Sequence, residues 1–129
     1  VTYTFSAITT EVAVTDDEAS KDVPLIIVGG PYANALAKEL VGTDDTVISE
    51  FFHKDGTPIG VVQMYDDPWG TGQPAMLVAG WDAKDTRAAA YVLTKYLSGA
   101  EPISELSGKT KIIVTRTTDQ VTTVTTELE

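Results

Sequence analysis

The sequence predicts a single α/β domain, bordering on α+β, with a mixed β-sheet of about five to seven strands and two main amphipathic helices. Three observations carry this. Leu25-Ile26-Ile27-Val28 is a continuous apolar run that stops at Gly29-Gly30. A second run, Met76-Leu77-Val78, stops at Gly80. Each is followed by apolar residues at helical spacing, so the chain contains two strand–glycine–helix units. A chain of 129 residues fits one domain. A domain of this size buries roughly two-thirds of its extended surface, enough for one core.

Residues 1–14 read as one or two extended segments. Tyr3, Phe5 and Ala7 alternate with Thr2, Thr4 and Ser6, the period of a strand with one buried face, and Val12 and Val14 extend it. Asp16, Asp17 and Glu18 start a polar loop. The run over residues 25–28 has the pattern of a strand covered on both faces. Pro31 suits the first turn of the helix that follows, where a missing N–H costs nothing. Ala33, Leu36, Ala37, Leu40 and Val41 form one apolar face, and Gly42 ends it. Residues 47–52 and 59–65 read as the two strands of a hairpin turned at Asp55-Gly56. Residues 66–74 are loop-forming throughout. The second buried strand covers 75–81. Asp82 is placed to cap the next helix, with Asp85 in its first turn. Ala89, Val92, Leu93, Tyr96 and Leu97 give that helix its apolar face, and Gly99 ends it. Residues 109–116 form a further strand, and 117–129 an edge strand or linker. Alternating strands and helices place parallel pairs at the centre of the sheet, with antiparallel edges. The abrupt strand at Val1 and the Thr-rich end read as cuts, so residues 1–129 are expected to be one domain of a longer chain.

The net charge of −10, from 19 acidic and 9 basic residues, argues against nucleic acid, since nothing could neutralise a row of phosphates. It also disfavours an anionic membrane surface, and no segment is apolar enough to insert. The acid excess serves solubility or gathers cations such as Ca²⁺. Cysteine is absent, which excludes disulfides and thiolate metal sites. Asparagine occurs once and glutamine three times, a thermophile signal.

Four constellations are candidates for chemistry. Gly29-Gly30 at a helix start can present N–H groups to an anion, but the run lacks the dinucleotide glycine spacing and the P-loop lysine. Its alternative role is a tight strand-to-helix turn. Asp82, Asp85, Thr86 and Arg87 gather at the second helix start. There Asp caps, Thr86 faces the neighbouring unit, and Arg87, one of only two arginines, pairs with a carboxylate. His53, the only histidine, sits in the hairpin turn and is read as solvated. Catalysis by it with Asp55 or Asp66 has the least support. The acidic clusters Asp16-Asp17 and Asp66-Asp67 are weak candidates for Ca²⁺, without EF-hand spacing. Trp69 and Trp81 are contact residues or core plugs.

Two stretches also resemble archaeal surface-layer proteins of the methanogen type. One carries Gly29-Gly30-Pro31 followed by Asn34-Ala35-Leu36. The other carries Val78-Ala79-Gly80 followed by Asp85-Thr86-Arg87-Ala88-Ala89. The resemblance implies a non-enzymatic, extracellular structural domain of the cell envelope. Its partners would be other copies of the parent protein in a lattice and other domains of the same chain. It transfers no catalytic residues and no cofactor, with Ca²⁺ the one ion it leaves open. Gly29, Gly30, Pro31, Asn34, Asp82, Asp85, Thr86 and Arg87 become structural motif residues. Asn34 precedes Ala35-Leu36, so no N-glycosylation acceptor is present.

Overall fold

The computed structural model describes residues 13–129. The one or two extended segments expected over 1–14, with Tyr3 and Phe5, lie outside them except for residues 13 and 14, which are irregular. The elements are β1 (Leu25–Val28), α1 (Ala35–Val41), α2 (Asp45–Phe51), β2 (His53–Lys54), β3 (Thr57–Pro58), β4 (Gly60–Tyr65), β5 (Ala75–Gly80), α3 (Ala83–Leu97), a short 3₁₀ turn (Ile103–Leu106), β6 (Lys111–Arg116) and β7 (Val124–Leu128).

Five strands form one mixed sheet in the order β1-β5-β4-β6-β7, and β2 and β3 form a separate small ribbon. Among the described residues only β1 and β5 are parallel neighbours; the other pairs are antiparallel. Among the described residues the parallel pair therefore sits at an edge of the sheet, not at the expected centre. The reason is topological. The unit β5-α3-β6 is a split crossover, and β4 inserts between its two strands.

Helices cover both faces, so the core has two halves. Ile27, Leu36, Ile48, Phe52, Val61, Leu77 and Ala79 pack on the side of α1 and α2. Val62, Val78, Ala89, Val92, Leu93 and Val114 pack under α3. Successive β5 residues feed opposite halves, and Ala75, Leu77, Val78 and Ala79 are all buried. β5 is thus a strand covered on both faces, as its composition predicts. β1 is not. Ile27 is buried, but Ile26 and Val28 are 63% and 56% exposed. Their face belongs to α3, which lies over β5, β4 and β6.

Local chemistry explains most element boundaries. The Asn34 side chain caps α1 by accepting from Leu36 and Ala37 N–H at 2.9 and 3.2 Å. Pro31 lies in a turn ahead of that cap, not in the helix, because Gly30 O already accepts from Ala33 and Asn34. Gly42 closes α1 at φ 124. Residues 47–52, expected as a strand, belong mainly to α2. Asp44 Oδ1 caps it through Thr46 and Val47 N–H, and Ile48 and Phe52, one helical turn apart, reach the core together. Cap and burial override the β-propensity of Val47-Ile48. The Asp55-Gly56 turn forms as expected, with φ +52 and +77, but it joins strands of only two residues. The chain end contributes β7, an antiparallel edge on β6.

The closest packing in the fold lies where α3 starts. Gly60 and Gly80 pair in register across β4 and β5. A Cβ on Gly60 would stand 2.5 Å from Asp85 O, and one on Gly80 would stand 2.5 Å from Thr86 N and overlap the Asp85 side chain. No side chain fits under this turn. Gly30 offers a control, since its added Cβ would meet only Gly80 O, at 3.5 Å. Thermal unfolding should show Gly60→Ala and Gly80→Ala each destabilised by about 3 kcal/mol or more, beyond ordinary overpacking because backbone blocks the methyl. Gly30→Ala should stay within about 1 kcal/mol of wild type.

Candidate functional site

At the carboxyl ends of β1 and β5 the chain leaves the sheet in opposite directions. From β1 it turns toward α1 on one face; from β5 it enters α3 on the other. Such a switch point opens a crevice in α/β sheets. Here the crevice has a volume of about 370 Å³, with Gly29 and Gly30 on one side and Trp81 and Arg87 on the other. Tyr32 and Phe52 complete its walls, and its lining is mainly apolar.

The anion-site reading of Gly29-Gly30 loses Gly29 and the first α1 N–H groups to bonds within the protein. Gly29 N–H bonds Val78 O at 2.9 Å. The first N–H groups of α1 are also occupied: Ala35 by Asp16 Oδ2 at 2.6 Å, Leu36 and Ala37 by Asn34. Gly29, at φ 115, serves the turn itself.

The second helix start is built around a buried charge. Asp82 Oδ1 accepts from Asp85 N–H at 2.8 Å, the cap expected from sequence. Asp85 is 2% exposed. Its Oδ1 accepts from Arg116 Nε at 2.8 Å, and Arg116 Nη2 lies 3.5 Å from Asp82 Oδ2. Hydrogen bonding to Asp85 raises the Arg116 pKa further, so its charge is permanent. The sequence reading assigned an ion pair here but gave it to Arg87. The structure corrects this. Arg87 is exposed at the crevice rim and makes no ion pair among the described residues. Two helical positions turn the chain by about 200°, so Asp85 and Arg87 must point apart. Arg116 lies 31 residues on, and no local pattern marks it. Thr86, half-buried, lines the crevice beside Arg87. Asp85 Oδ2 accepts no hydrogen bond among the described residues.

The remaining candidates take structural positions. His53 is half-buried rather than solvated. Its Nδ1 donates to Ser49 O at 2.6 Å, and its ring meets Trp81 edge-on at 4.5 Å. Asp67 Oδ1 accepts from Gly72 N–H at 3.0 Å and closes its loop. Asp16 serves α1, while a hydrogen bond from Thr15 lowers the Asp17 pKa. Neither the Asp16-Asp17 nor the Asp66-Asp67 cluster gathers three His, Asp or Glu side chains into a cation site among the described residues. Trp69 is partly buried, and its Nε1 donates to Glu39 Oε2 at 2.7 Å. Lys21 bonds the same carboxylate at 2.9 Å and lies 5.4 Å over the Trp69 ring. Sequence reading missed this three-residue clamp, whose members are 18 and 30 residues apart. Among the described residues, no helix is long and apolar enough to cross a membrane.

Two outcomes follow. Arg116→Ala should cost about 3 kcal/mol in denaturant unfolding, the low end for orphaning a buried charge, whereas Arg87→Ala should change stability by under about 0.5 kcal/mol. The Lys21 hydrogen bond holds the Glu39 pKa below its ordinary value. A depressed carboxylate stabilises the fold above its unfolded pKa, and that contribution is lost as pH falls through the folded value. Trp69 emission should therefore hold steady at neutral pH and shift only as pH falls below the ordinary glutamate range, and Glu39→Gln should remove that transition.

Residues 2–97 match the family described as "S-layer like family, outer domain". The chain is 34% identical over 94 residues to the S-layer protein of Methanocaldococcus jannaschii, covering 70% of this chain and 16% of that protein. It is 34% identical over 93 residues to the S-layer protein of Methanothermococcus thermolithotrophicus, covering 70% and 15%. The chain thus spans about a sixth of the length of these curated relatives. No solved structure matches it. The match across most of the sequence, through both glycine turns and all of α3, places this chain in the S-layer like family, at its outer domain.

Proposed function

We propose that this chain is a structural, non-enzymatic domain of an archaeal cell-surface layer. It acts by packing against other copies of the longer protein and against other domains of the same chain, outside the cell. The family match over residues 2–97 carries this reading. The architecture supports it. The Gly29 and first α1 N–H groups, which an anion at the first glycine turn would need, are occupied within the protein. Gly29, Gly30, Pro31, Asn34, Asp82 and Asp85 then act as structural motif residues that set the two helix starts. The acid excess suits a surface exposed to cations, and Ca²⁺ belongs to this reading as an assembly factor rather than as a ligand of one site.

Negative-stain imaging of the purified longer protein, with and without Ca²⁺, tests the reading. Ordered two-dimensional sheets are the expected result, together with antibody labelling of this domain on intact cells. Dispersed particles under both conditions, or labelling confined to the cell interior, would sink it.

A further inference from the structure

The crevice between the glycine turns has the composition of a protein contact. Its rim offers Trp81, Tyr32 and Arg87, the three residue types that dominate interface energetics. Trp81 is 42% and Tyr32 68% exposed, although both border an apolar hollow. A small ligand would need converging polar groups to orient it, and the Gly29, Leu36, Ala37 and Trp81 N–H groups are already bonded within the protein. Arg87 remains, a cation without an ion pair among the described residues, on a chain of net charge −10. An acidic partner with an apolar side chain fits both features.

This chain carries such a knob. Helix α3 begins at the crevice and runs 15 residues, roughly 22 Å, to the opposite end of the molecule. Just beyond that end stands Ile103, 62% exposed at the start of the 3₁₀ turn. Glu101 and Glu105 flank it in sequence. Glu101 already pairs with Lys95 at 3.5 Å, whereas Glu105 is exposed and has no ion pair among the described residues. This isoleucine belongs to neither core half.

We propose that the crevice is the socket of a head-to-tail contact between copies of this chain, filled by Ile103 of the next copy, with Glu105 of that copy meeting Arg87. This rests on the packing reading above and specifies the surface. A contact joining opposite ends of one molecule is heterologous, so it can repeat from copy to copy instead of closing as a two-fold dimer, which suits an extended layer.

The absence of cysteine makes the test direct. One batch of the full chain carries Ala33→Cys, at the crevice, and another Ser104→Cys, beside the knob, so that Tyr32 and Ile103 stay in place; the two are mixed and joined by a short bis-maleimide. The mixed dimer should exceed both homodimers several-fold. Adding Arg87→Glu to the first batch should lower the mixed product roughly tenfold, the effect of about 1.4 kcal/mol. Glu105→Arg in the second batch should then restore it. All four positions are exposed, so circular dichroism should be unchanged. Equal homodimers and mixed dimers, or no response to Arg87→Glu, would overturn the socket. So would thermal stabilisation by benzoate without a mixed cross-link, which would give the crevice to a small ligand. Sheets of the longer protein without the mixed cross-link would overturn the socket and leave the packing reading standing; loss of both would overturn both.

Discussion

The first turn of α3 lies so close to the sheet that only backbone fits beneath it. Gly60 and Gly80, paired across β4 and β5, provide that bare patch, and Asp85 is pressed into it. The close approach creates an electrostatic demand. A carboxylate removed from water costs several kcal/mol unless a counter-charge and hydrogen bonds replace the lost hydration. Arg116, on the neighbouring strand β6, supplies both through its Nε, and its other nitrogens reach Asp82 Oδ2 and Asp119 O. One steric constraint therefore ties three strands and a helix together. It also directs Trp81 and Arg87 outward into the crevice, since they flank the buried turn.

The other half of the molecule is built differently. α1 and α2 have seven residues each, too short to hold their shape alone. They rely on side-chain caps, Asn34 with Asp16 for α1 and Asp44 for α2, and on Leu36, Ala37, Ile48 and Phe52 in the core. Exposed ion pairs such as Lys84–Asp119 and Lys54–Glu127 fasten the periphery but contribute little each. The two faces of the sheet are thus covered by unlike structures. Where α3 stops short of β1, Ile26 and Val28 stay open to solvent.

What could be read from the sequence was local. The glycine turns, the Asp82 cap, the Asp55-Gly56 turn and the α3 stripe each depend on neighbours within a few positions. What could not be read was set by distant chain. β1 has the composition of a central strand, but its exposure follows from where α3 happens to lie. Val47-Ile48 favours a strand by propensity, yet Asp44 and the partnership of Ile48 with Phe52 make it helical. The ion pair at the α3 start was legible as chemistry and illegible as geometry, because the choice between two arginines depends on strand order. The crevice itself had no signature beyond two glycine turns whose proximity comes from the parallel pairing of β1 and β5.

The same helix start links the interior to the surface. Asp85 and Arg87 are two positions apart, so fixing one fixes the direction of the other. Asp85 is held by sterics below, the Asp82 cap behind and Arg116 beside it, which leaves the helix no rotational freedom at this point. Arg87 thereby acquires a fixed root, and Trp81 is held in place by its backbone bond to Ile59 O and by the His53 ring. A rim of this kind loses little freedom when a partner arrives, and lost freedom is a main cost of association. The buried pair that looks like a pure stability device is also what preorganises the exposed face. Weakening it should loosen the rim before it unfolds the domain, because the crevice wall rests on the first turn of α3 and not on its core stripe.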